Sequence, residues 1–183
     1  MRSKCFKTLL SGLERHTPSI LKKIELQILL NATAAAFDRP GKMIWQLSED
    51  KALAAYAAYT KTCLKDTAPD RKRVYRNAYR LGQRIQRISG FTEREDLKRL
   101  VFYLYSNIGI KLTGQLPGEI LIPACYFSDV YTPKQCMMMS FMDWGIVSGI
   151  FGGGKLIFTE RLTQGCGRCR ALFIDKEGSA DDE

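Results

Sequence analysis

Three residues of the chain share one helical face and carry reactive groups. Cys136, Ser140 and Asp143 are spaced four and three apart, followed by Val147 and Ile150, so on a helix they lie in one stripe. Asp143 sits between Met142 and Trp144. Apolar neighbours raise a carboxyl pKa and suit it to proton transfer near neutral pH. Cys136 falls in the first turn, where the helix dipole favours a thiolate. Both also have a plainer reading, a small buried hydrophobe and a hydrogen-bonded helical acid. Downstream, strict strand alternation puts Ile157, Thr159, Arg161 and Thr163 on one face and Leu156, Phe158, Glu160 and Leu162 on the other. Ser140, Thr159, Arg161 and Thr163 are the candidate substrate-binding groups, because a guanidinium can grip a carboxylate bidentately. The expectation is one pocket between helix and strand, lined by Cys136, Asp143 and Arg161.

Cysteines offer a second chemistry. Cys166-Gly-Arg-Cys169 is a CxxC, half of a zinc site, and completing it needs Cys125, Cys136 or Glu160. Zinc or an iron-sulfur centre on this set is the cofactor alternative to no cofactor at all. A thioredoxin-type pair would want a helix start instead of a hairpin. The only histidine, His16, lies far from these motifs, which argues against Ser-His-Asp or Cys-His catalysis. Gly152-Gly153-Gly154 lacks the Lys-Ser/Thr of a P-loop, so no phosphate site is expected there.

The elements that must position these groups are legible in outline. Helices are expected over Ser19–Phe37 and from the cap Ser48 to about Leu64. A basic helix follows from Arg71 to Ser89-Gly90, and a fourth runs from a Thr92/Glu95 capping box to about Asn107. Periodicity then changes to that of strands. Ile108–Leu112 and Glu119–Phe127 form a hairpin around Gln115-Leu116-Pro117-Gly118. Thr132-Pro133-Lys134-Gln135 caps a helix running to about Ile150 and ended by the glycines. Lys155–Leu162 and Cys169–Ile174 form a second hairpin. The fold class is therefore α+β: N-terminal helices, then an antiparallel sheet of two hairpins with a long helix between them. Residues 1–174 make a single domain (1–107 helical, 108–174 hairpin-helix-hairpin), and 175–183 a disordered acidic tail. Gly145 and Gly149 allow close helix-sheet contact. Met137, Met138, Met139 and Met142 pack against the sheet or line an adaptable pocket.

At this point the order of residues resembles a known family. Cys125 after a strand, Cys136 opening a helix, Asp143, the three glycines, the strand to Arg161, then Thr163, Gly165 and Cys169 before an aromatic strand are similar to the bacterial L-2-amino-thiazoline-4-carboxylic acid hydrolases. The likeness covers roughly the last sixty residues and departs from the family where Arg170 follows Cys169. It implies hydrolytic opening of a small sulfur-nitrogen heterocycle, with Asp143 moving the proton, Cys136 as nucleophile or polariser, and Arg161 with Thr159 or Thr163 on a carboxylate. The hairpin-helix-hairpin ending also resembles 4-vinyl reductase type ligand-binding domains. There Cys136, Glu160, Cys166 and Cys169 would hold zinc in a non-enzymatic sensor.

Composition bounds the rest. The 183 residues are 45% hydrophobic and 26% charged, with a formal charge of +9. From Arg71 to Arg87 there are seven basic residues and no acidic one. Arg73, Arg76, Arg80, Arg84 and Arg87 fall opposite Val74, Ala78, Leu81, Ile85 and Ile88, so a solvated face is expected, with no specific nucleic-acid partner. No signal peptide is apparent, and the apolar run from Cys136 to Gly154 is interrupted by Asp143. A cytoplasmic protein with reduced cysteines, a small-molecule ligand and no membrane partner is the expectation.

Overall fold

The computed structural model describes residues 8, 10–13, 16–66 and 70–176. It is an α+β protein, with helices first and one antiparallel sheet after them. Helix α1 spans Ser19–Phe37 and ends in a left-handed Asp38, whose neighbours Arg39-Pro40-Gly41 cannot continue it. Helix α2 spans Glu49–Asp66, with Glu49 and Asp50 in the first turn, where the dipole favours acids. Helix α3 spans Arg71–Ser89, from the Asp70 cap, which accepts from the Lys72 N–H at 2.9 Å, to a left-handed Gly90. Helix α4 spans Arg94–Asn107. Its cap is Glu93, so the expected Thr92/Glu95 box does not form. Glu95 falls one position too early to reciprocate and pairs with Lys98 at 2.8 Å instead.

Strands β1 (Ile110–Gly114), β2 (Gly118–Cys125), β3 (Lys155–Glu160) and β4 (Cys169–Ile174) stand in the order β1-β2-β4-β3, all neighbours antiparallel. Pairing of β2 with β4 joins the two hairpins into one sheet. Both hairpin strands expected to reach further, β2 and β3, stop early in 3-10 turns, at Tyr126–Asp129 and Leu162–Gln164. Between the hairpins, helix α5 (Pro133–Phe151) starts on a full capping box. The Thr132 hydroxyl accepts from the Gln135 N–H, the Gln135 side chain accepts from the Thr132 N–H, and Pro133 opens the helix.

Three faces of α5 have three neighbours. Trp144, Ser148 and Phe151 look toward the second hairpin: the first two donate to the Gly154 carbonyl at 2.9 and 3.0 Å, and the Phe151 ring lies 5.3 Å from that of Phe173. Gly145 and Gly149 face α3. This corrects the expected helix-sheet role of these glycines. A Cβ on Gly145 would stand 2.6 Å from the Ala78 Cβ, and one on Gly149 would stand 2.9 Å from the Gly82 Cα. Two backbones approach this closely only without side chains between them. The third face carries Cys136, Met139, Asp143 and Ile146 into a cavity.

Arg73, Arg76, Arg80, Arg84 and Arg87 of α3 are exposed, as expected, and Val74 and Ala78 are buried. Ile88 departs from its stripe and is 78% exposed. Asp175, expected in a disordered tail, is buried, and its carboxylate lies 2.7 Å from the Arg94 guanidinium. The remaining tail, 177–183, lies outside the described residues. No helix among the described residues is long and apolar enough to cross a membrane.

Candidate functional site

A cavity of about 320 Å³ opens among α1, α2, α3, α4, α5 and the 3-10 turn after β2. Its wall is almost wholly apolar. The exceptions include Asp143, Cys136 and Cys125, together with tyrosines and Glu25. Asp143 is held by Tyr105, whose phenol donates to Oδ1 at 3.0 Å. Burial pushes its carboxyl up to about 6, while the Tyr105 bond and the Arg161 charge pull the other way. The same burial, reinforced by Asp143, holds the Tyr105 phenol well above its ordinary range. Asp143 can therefore exchange a proton near neutral pH, and Tyr105 stays a donor.

Two β-bulges decide what meets this carboxyl. Between β3 and β4 the register slips, so that Phe158 faces Ala171 and Glu160 already faces Arg170. One residue of β3 is absorbed there, and strict alternation fails. Phe158 and Arg161, expected on opposite faces, come together, with the guanidinium 4.4 Å from the ring centroid. Arg161 donates to the Ser140 hydroxyl at 2.6 Å, and Ser140 donates to the Cys136 carbonyl at 3.0 Å. A second slip, between β1 and β2 near Pro123, aligns Cys125 with the buried Ile110 and turns it to the cavity.

The structure thus gathers Cys136, Ser140, Asp143 and Arg161 around one stretch of α5. Cys136 and Asp143 line the cavity, whereas Ser140 and Arg161 do not. The cavity lies among the helices, not between α5 and β3. Thr159 is exposed and bonds to the Arg170 carbonyl at 3.4 Å, away from the others. Thr163 sits in the 3-10 turn after β3, its hydroxyl buried and without a partner among the described residues.

The cysteines divide. Cys169 is buried in β4 and accepts from the Leu162 N–H at 3.3 Å. Burial raises its thiol, and raises that of Cys125 to about 12, so both stay protonated. Cys166 lies in the turn, its N–H on the Arg161 carbonyl at 3.3 Å. Glu160 faces Arg170 at 3.5 Å and Arg168 at 3.8 Å. Among the described residues, no three His, Cys, Asp or Glu side chains are grouped as metal ligands.

Sequence reasoning missed Glu25, on α1. Although the residue is only part-buried, its carboxyl end is enclosed by protein, and burial pushes its pKa up to about 8. Asn107 donates to it at 2.9 Å, a bond that pulls the pKa down. The signal was a lone acid among Leu21, Ile24, Ile28 and Leu29. Tyr105 was missed as well, being one aromatic among many. Comparison of the chain with protein-family models, with curated proteins and with solved structures finds no match.

Proposed function

We propose that the protein is a hydrolase that opens a small sulfur- or nitrogen-containing ring of cyclic amidine or thiazoline type, such as an aminothiazoline carboxylate. The observation that carries this reading is Asp143: a carboxyl tuned to about 6, in the wall of an apolar cavity, with Tyr105 fixing one oxygen. The resemblance of the Cys125–Phe173 segment to thiazoline hydrolases supports it. In the proposed step, water bonds to the amidine-like carbon and gives a proton to Asp143, which passes it to the ring nitrogen. The carbon-sulfur bond of the adduct then breaks, and the hydroxyl proton follows the same route to sulfur. One ring and one water give one open-chain urea bearing a thiol. Cys136 polarises the ring from the same wall. Arg161 tunes Asp143 from outside the cavity, and among the described residues the cavity wall holds no cation for a carboxylate on the ring.

The second reading, a non-enzymatic binding or sensor domain, draws support from the apolar wall, which suits retention of a ligand as well as its reaction. Incubation with aminothiazolines, with and without the carboxylate, separates the two. Appearance of a thiol and of a product heavier by one water supports the hydrolase. Ligand retained unchanged supports the sensor, and stoichiometric zinc or iron by elemental analysis would identify the metal-containing form of it.

A further inference from the structure

The charge of the cavity wall points to the kind of molecule it takes. The chain carries a formal charge of +9, yet among the described residues no Lys, Arg or His lines this cavity. Its two carboxyls, Glu25 and Asp143, are both held from the last turn of α4, by Asn107 at 2.9 Å and Tyr105 at 3.0 Å. That turn is the negative end of a helix dipole, and it has no basic residue of its own. The rings of Tyr56, Phe127 and Tyr131 form a packed aromatic wall: Tyr56 and Phe127 meet edge to face at 5.9 Å, and Phe127 and Tyr131 stack at 5.4 Å. Carboxyls and a helix C-terminus favour positive charge, as do aromatic rings where a face is presented, and here all three line an otherwise apolar space.

We propose that the cavity selects an organic cation, a small apolar amine or amidine whose charged nitrogen is anchored by Glu25 at the C-terminal end of α4. This rests on the cavity being the ligand site, and it names the substrate class of that site as basic. Glu25 is the anchor because Asp143 is needed for proton transfer, whereas among the described residues Glu25 has Asn107 alone to satisfy it. An entering cation ionises it and becomes its second partner beside Asn107. An uncharged or anionic ligand of the same shape gains nothing from it.

The test uses calorimetric titration of the full chain with three matched probes: phenethylamine, phenethyl alcohol and phenylacetate. The amine is expected to bind at least about tenfold more tightly than the alcohol, and the carboxylate most weakly. Glu25→Gln, which keeps the Asn107 contact, is expected to remove the amine's advantage and leave alcohol binding unchanged. Equal affinity for amine and alcohol in the unaltered protein overturns the proposal, whether or not the variant folds. So does an amine preference that survives Glu25→Gln. Amine selectivity without ring opening would refute the hydrolase reading and leave this one standing; ring opening by a protein that shows no amine preference would do the reverse.

Discussion

Asp143 illustrates how one side chain's chemistry is set by three others. Burial lifts its pKa, Tyr105 and Arg161 restrain the lift, and the result is about 6. The base form is needed to take a proton from water, so activity is expected to rise with pH through about 6. Arg161→Gln removes a charge that favours the ionised form, and the acidic limb of the pH–rate profile should move to higher pH. A limb that stays in place would show that Arg161 does not tune Asp143. The helix spacing made Cys136, Ser140 and Asp143 legible as a set, because four- and three-residue steps survive in any regular helix. Arg161 was found for the wrong reason. Its partners were expected to be Thr159 and Thr163, but the bulge after Phe158 re-aims it, and no residue type in Lys155–Leu162 announces a bulge.

At the scale of elements, the helix pair α3–α5 supports the site. Gly82, Gly145 and Gly149 bring the two backbones together, and α5 is thereby fixed with Asp143 toward the cavity. Gly145→Ala would place a methyl group against Ala78 and the Tyr75 carbonyl. It should cost about 1–3 kcal/mol in denaturant unfolding, whereas Gly165→Ala meets no atom and is strained only by its positive φ. Equal losses at the two positions would argue against close packing as the reason for Gly145. The boundaries of α5 were legible because capping chemistry is local: Thr132, Pro133, Gln135 and Gly152 each act within a turn. The partner of its glycine face was not, since a gap between helices and a gap above a sheet leave the same mark in sequence.

At the scale of the whole molecule, an α+β order could be read from the change of periodicity near Ile108, but the cavity could not. It is assembled from α1, α2, α3, α4 and α5, whose mutual placement depends on packing between residues far apart in the chain. Its two carboxyls leave a mark on stability. Both are raised in the folded state, Glu25 from 4.5 to about 8 and Asp143 from 3.8 to about 6. Between the unfolded and folded values the folded protein holds more protons than the unfolded chain. Stability is therefore lost as pH rises through that window. The melting temperature should fall between about pH 5 and pH 8, and Glu25→Gln should flatten the upper part of that fall. At about 1.4 kcal/mol per pKa unit the effect amounts to a few kcal/mol. A melting temperature that rises over the same range would mean that neither carboxyl is held in an apolar wall.

The central claim is that Asp143 moves the proton in a ring-opening hydrolysis. Its most direct measure is thiol release from an aminothiazoline carboxylate by the unaltered protein and by Asp143→Asn, which keeps the volume and can still accept from Tyr105. The expected result is steady thiol release by the former and a loss of at least about 100-fold in the latter, with melting behaviour retained. Equal turnover by both proteins, or no thiol from any ring of this class with the unaltered protein, would contradict it.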